Sequence, residues 1–178
     1  PVAYAAAPGR SARTPGEAVA ARLRGILPSD IVVREVSGAP PGFDARFSAI
    51  WRRYRYRICE DPARLDPLRS RDTVLVGTPL GVDVMNVASA SLLGLHDFAA
   101  FCRKREGAST IRTLTAYRWD RDEDGTVVAT VVADAFCHSM VRALVGAVVP
   151  VGAGRVGQEF AGAVLRAARP RPRPVACH

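Results

Sequence analysis

Apolar residues recur along this chain at two different periods, and the switches between those periods divide it into elements. Over 14–27, Val19, Ala20, Leu23, Ile26 and Leu27 fall on one side of a predicted helix. Thr14 is placed as its N-cap, Pro15 in its first turn, Glu17 at the third position and Pro28 as its stop. Asp30–Val36 reads as a short strand, and SGAPPG at 37–42 as a turn-rich connector between two structural units. Residues 46–57, RFSAIWRRYRYR, alternate aromatic or aliphatic side chains with arginines, the pattern of a strand with one greasy and one cationic face. In such a strand Arg53, Arg55 and Arg57 share a face with Trp51, and Tyr54 and Tyr56 lie opposite. Val82–Leu93 has helical spacing with Gly94 as C-cap, and GLHDF reads as a helix-ending turn whose Phe98, with Phe101, anchors in the core. Thr110–Asp120 and Thr126–Phe136 are rich in β-branched residues and joined by RDEDG, which predicts a hairpin with Gly125 at positive φ. Ser139–Val149 is an apolar helix carrying Arg142, and Glu159–Ala168 a last amphipathic helix before a Pro/Arg tail. Strands and helices alternate, with hairpins among the connections. The predicted class is therefore α+β, a mostly antiparallel sheet flanked by helices rather than a doubly wound one.

Composition adds to this picture without deciding it. With 178 residues and 48% apolar content, the chain is long enough to bury a core without staples. A net charge of +8 invites an anionic partner. Of the 25 basic residues all but Lys104 are arginine, which favours bidentate phosphate contacts but is also what GC-rich codon usage produces. Cys59, Cys102, Cys137 and Cys177 form no CxxC pair and have no histidine at zinc-finger spacing, so free thiols are expected and no metal site. No apolar run has the length of a membrane span and the first residues lack the order of a signal peptide, which together predict a cytoplasmic protein without membrane contact.

The candidate chemistry is RNA recognition. Arg46, Arg52, Arg53 and Arg55 can reach phosphates, and the neighbouring rings can hold an unstacked base. The competing reading of the same strand is an antiparallel one with a buried aromatic side and a solvated arginine side. Arg103, Lys104 and Arg105 would extend the basic rim, although an isolated charge run is otherwise merely solvated. Arg142, alone on an apolar helix, must snorkel or find a carboxylate, because an unpaired buried guanidinium is costly. His138 reads as a cap or a hydrogen-bonded core histidine, no nucleophile or second metal ligand lying at suitable spacing.

FDARFSAIWRRYRY at 43–56, GLHDFAAF at 94–101, TIRTL at 110–114 and AFCHSMVRALVGAVVPVG at 135–152, in this order, resemble the tRNA pseudouridine synthase A (TruA) family from about Leu27 to Gly152. The resemblance implies the pseudouridine synthase fold, with two related halves that each carry a small antiparallel sheet and meet at a basic cleft. Residues 1–42 would be the end of an incomplete first half and 43–178 the second half. It further implies a cofactor-free homodimer that converts uridines of the tRNA anticodon arm to pseudouridine. Tyr54 matches the tyrosine that stacks on the flipped uracil, and Arg142 the ion-pair partner of a nucleophilic aspartate. The family carries that aspartate in an Arg-Thr-Asp-Ala-Gly segment, and no Arg-Thr-Asp triplet occurs here; the nearest strings are RTP at 13–15 and RTL at 112–114. The expectation is a synthase truncated at both ends that gives no turnover alone. The alternative is a degenerate synthase that binds RNA without catalysis.

Overall fold

The computed structural model of the chain describes residues 14–103, 105 and 107–167. They form two compact units, divided between Ala49 and Ile50.

In the first unit, helix α1 spans Pro15–Ile26. Its start is the predicted capping box: Glu17 N donates to Thr14 Oγ1 at 3.3 Å while the Glu17 carboxylate accepts from Thr14 N at 2.8 Å. Arg24 Nε reaches back to the Val33 carbonyl at 3.2 Å. The strand expected at Asp30–Val36 does not form. Among the described residues of its unit the segment meets no ladder partner, and Val32 stays 74% exposed. The arginine-rich alternation also starts later than its pattern suggests. Asp44 Oδ1 accepts from the backbone of Arg46 and Phe47, at 2.7 and 2.9 Å, and this turn takes residues 45–48 out of the extended state.

The second unit is built on a five-stranded sheet. Its strands are β1 (Arg52–Cys59), β2 (Thr73–Leu75), β3 (Gly94–Asp97), β4 (Ile111–Arg121) and β5 (Val127–Ala133), in the order β2-β1-β5-β4-β3. All neighbours are antiparallel except β1 and β2, so the mostly antiparallel α+β architecture holds. The predicted hairpin is β4–β5, with Gly125 at φ 81°. Among the described residues of this unit, the helices are α2 (Val82–Ala90), α3 (Met140–Gly152) and α4 (Phe160–Ala167). Helix α2 ends earlier than expected, at Ala90, and Gly94 is no C-cap but the first residue of β3, at φ 104°. GLHD is accordingly an edge strand rather than a turn, while Phe98 and Phe101 are anchored in the core at 0% and 3% exposure.

A β-bulge between Leu114 and Ala116 shifts β4 by one residue against β5. It reverses the inward parity along the strand, so that Leu114, Tyr117 and Trp119 all face the core. That face is completed by Ile58 of β1 and by Val127, Ala129, Val131 and Ala133 of β5, and it packs with Met85, Leu92, Leu144 and Val148. Beyond Leu114 the outer edge of β4 is no longer covered by β3. Asn86 of α2 takes over there, donating to the Trp119 carbonyl at 2.9 Å and accepting from its N–H at 2.8 Å.

Candidate functional site

The register of β1 sorts its side chains. Arg53, Arg55 and Arg57 stand opposite Val132, Thr130 and Val128 of β5, and across β4 lie Ala116, Arg118 and Asp120. This is the face turned away from the core. Most of its charge is satisfied within the sheet. Arg57 bridges Asp122 at 2.7 Å and Asp124 at 2.9 Å and is only 11% exposed; Arg55 shares Asp122 at 3.3 Å; Arg118 pairs with Asp120 at 2.7 Å. Asp124 is held below the ordinary carboxylate range by the Thr126 backbone N–H and hydroxyl, and then by Arg57. The acids that hold Arg55 and Arg57 come from the RDEDG turn, which in the sequence looks like a turn and nothing more. On this face of β1, Arg53 is the arginine in no ion pair among the described residues, its guanidinium 5.3 Å from the centroid of the Trp51 ring.

Tyr54 lies on the opposite face, as the alternation predicts, yet it is 47% exposed rather than part of the core. The edge-to-face ring of Phe136, at 5.1 Å and 89°, holds it from one side. Phe136 belongs to the connection between β5 and α3, a residue the motif contains but to which the sequence assigns no role. Arg52 precedes this position, opposite Ala133.

The same connection launches α3. Ser139, its N-cap residue, sits at φ 66°, a left-handed backbone that a non-glycine residue seldom adopts, and its hydroxyl contacts His138 Nδ1 at 3.0 Å. His138 is thus hydrogen-bonded at the helix entry but exposed, not the core residue that one reading of the sequence expected. One turn on, Arg142 is exposed and has no ion pair or hydrogen bond among the described residues. Of the alternatives open for this arginine, pairing with one of the chain's own described acids is therefore not the one realised.

The rim behind this loop begins at Arg103, whose N–H donates to the His138 carbonyl at 3.0 Å. Arg103 and Arg105 are exposed, and Lys104 lies outside the described residues. Arg46 belongs to the first unit, where its guanidinium sits 5.2 Å from the centroid of the Phe47 ring. Against the expectation of free thiols, the sulfurs of Cys102 and Cys137 are placed in bonding contact. Two parts of the candidate site thus share the β5–α3 connection, Tyr54 through Phe136 and Arg142 through α3. The described residues contain no cluster of three or more metal-ligating acids, histidines or cysteines, and no helix among them is long and apolar enough to cross a membrane.

A sequence family described as tRNA pseudouridine synthase matches residues 88–177, which include β3, β4, β5 and all of α3. The chain belongs to the tRNA pseudouridine synthase family. Its relatives include three proteins named tRNA pseudouridine synthase A. That of Streptomyces avermitilis is 49% identical over 164 residues, covering 92% of this chain and 58% of the relative. That of Frankia casuarinae is 54% identical over 147 residues, covering 83% and 54%. That of Leifsonia xyli is 52% identical over 142 residues, covering 79% and 49%. The chain spans about half the length of the curated relatives it matches.

Proposed function

We propose that the complete protein isomerises uridine to pseudouridine in the anticodon arm of tRNA, acting as a cytoplasmic homodimer. This chain supplies the base-stacking tyrosine and the basic member of the catalytic pair. Residues 1–42 are read as the end of the first half of a synthase and 43–178 as its second half. The observation that carries the proposal is Arg142, an exposed guanidinium without a partner among the described residues, on an otherwise apolar helix of a family member. A carboxylate brought beside it would gain charge-assisted hydrogen bonds and stay ionised, ready to attack the ribose of an extruded uridine. The aspartate itself comes from outside the present sequence, which has no Arg-Thr-Asp triplet.

Tyr54 offers the extruded base a flat wall. Its ring is braced by Phe136 and half open to solvent, and stacking of a base on it is worth on the order of 1–3 kcal/mol. Arg46, Arg52, Arg53, Arg55, Arg103, Lys104 and Arg105 are the proposed contacts to the RNA backbone. Arg53 is the strongest candidate on its face of β1, since Arg55 already shares Asp122 with Arg57.

The test is carbodiimide mapping of pseudouridine in an unmodified tRNA transcript, beside a binding titration. It compares this chain alone with a fusion that adds, upstream, the family's Arg-Thr-Asp-Ala-Gly segment. The expected result is binding by both proteins, product from the fusion, and loss of product from its Arg142→Ala variant. A fusion that binds without forming pseudouridine, or an Arg142→Ala variant with undiminished turnover, overturns the proposal.

A further inference from the structure

Two cysteines fasten together the loops that flank the candidate site. Cys102 follows the 3-10 turn Ala99–Phe101 and immediately precedes Arg103 and Arg105. Cys137 stands between Phe136, the brace of Tyr54, and the His138–Ser139 entry to α3. They are 35 residues apart in sequence, yet their Cα atoms are 5.7 Å apart, inside the span a disulfide requires. Both are half-buried, whereas Cys59 is buried, with its Sγ donating to the Asp61 carbonyl at 3.0 Å. Besides these sulfurs, the hydrogen bond from Arg103 N to the His138 carbonyl joins the two loops.

We propose that Cys102 and Cys137 form a reversible thiol–disulfide site, oxidised by low-molecular-weight disulfides, whose closure clamps the Arg103–Arg105 rim to the base of α3. One cysteine thiolate attacks the small disulfide, breaking its S–S bond and releasing one small thiolate. The second cysteine thiolate then displaces the other. Two protein thiols lose two electrons in all, the small disulfide gains them, and the protons end on the two released thiols. Closing the bridge fixes the rim at a set distance from the helix that carries Arg142. The rim arginines then bind RNA with less ordering left to do, so the bridged form should bind the anticodon arm about three- to tenfold more tightly. This consequence, though not the bridge itself, rests on the proposed function.

The experiment takes the full chain, exchanged into oxidised or reduced glutathione at fixed pH, and reads three quantities. These are the cysteine linkage by peptide mapping, the rate of limited trypsin cleavage after Arg103 and Arg105, and affinity for an anticodon-arm RNA. The expected result is a 102–137 link in the oxidised form, cleavage there slowed by about fivefold or more, and tighter RNA binding. Cys102→Ser and Cys137→Ser should lose all three responses while matching reduced wild type in circular dichroism. Absence of the link, a link to Cys59 or Cys177 instead, cleavage that ignores it, or equal RNA affinity of the two forms overturns the proposal. A link that slows cleavage in a chain that binds RNA in neither state sinks the functional reading and leaves the clamp standing.

Discussion

Asn86→Ala should weaken the second unit through one strand edge. Strand β4 loses its outer neighbour after Leu114, and at Trp119 the alternation of an antiparallel ladder turns both backbone polar groups away from β5. The Asn86 carboxamide fills that place as a further strand would, at 2.9 Å to the carbonyl and 2.8 Å from the N–H. Alanine removes both bonds, worth about 1 kcal/mol each net. It also leaves an N–H and a C=O short of partners in a residue whose side chain is almost wholly buried, at up to ~1–3 kcal/mol each. Partial access of water to the edge reduces this second contribution, so the expected total is about 2–4 kcal/mol. That is a large fraction of the roughly 5–15 kcal/mol that holds a domain together. Urea unfolding followed by the fluorescence of buried Trp119 measures it, with an unchanged slope against denaturant marking a native-state effect. A loss below ~0.5 kcal/mol would refute the edge-capping role, because an ordinary surface substitution costs that little.

Further outcomes follow from the same contacts. Arg142→Ala should change unfolding free energy by no more than ~0.5 kcal/mol, since the guanidinium touches no described partner; a larger loss in urea unfolding would mean that it packs. Arg53→Ala should lower the magnitude of the log K against log [salt] slope for RNA binding by about one, while Arg57→Ala should leave that slope unchanged, its guanidinium already being held by Asp122 and Asp124. Gly152→Ala drives a Cβ into the buried Met85 side chain where α3 meets α2, and should cost about 1–3 kcal/mol in thermal or urea unfolding. Glu60 is held below the ordinary glutamate value of 4.5 by its hydrogen bond to Arg121, with the Leu80 N–H and Coulombic attraction to Arg121 helping. A depressed carboxylate stabilises the fold at pH above that ordinary value and loses this contribution as pH falls through the folded one. Glu60→Gln should therefore differ from wild type by up to ~1 kcal/mol at neutral pH, the pair being screened because Arg121 is 43% exposed, and the difference should shrink in acid.

Much of this protein is local, and what is local was legible. The capping box of α1, the β4–β5 hairpin with Gly125 at positive φ, and the opposition of Tyr54 to Arg53 and Arg55 depend on residues within a few positions of one another, and the chain writes them directly. So do the ordered motifs that placed the chain in its family. Elements whose existence depends on a distant partner were misread. Asp30–Val36 has strand composition but no strand to pair with among the described residues, and Gly94 reads as a helix stop until the edge of β4 claims GLHD as β3. The candidate site divides in the same way. Sequence singled out Tyr54 through its place in the RRYRY motif of the family it resembles, and Arg142 as the lone arginine on an apolar helix. Only the tertiary structure could set Phe136 against Tyr54, spend Arg55 and Arg57 on the acids of the RDEDG turn, and bring Cys102 beside Cys137. Those contacts join residues from 35 to more than 80 positions apart, and their energy depends on which side chains the sheet register and the β4 bulge bring face to face, which no local periodicity encodes.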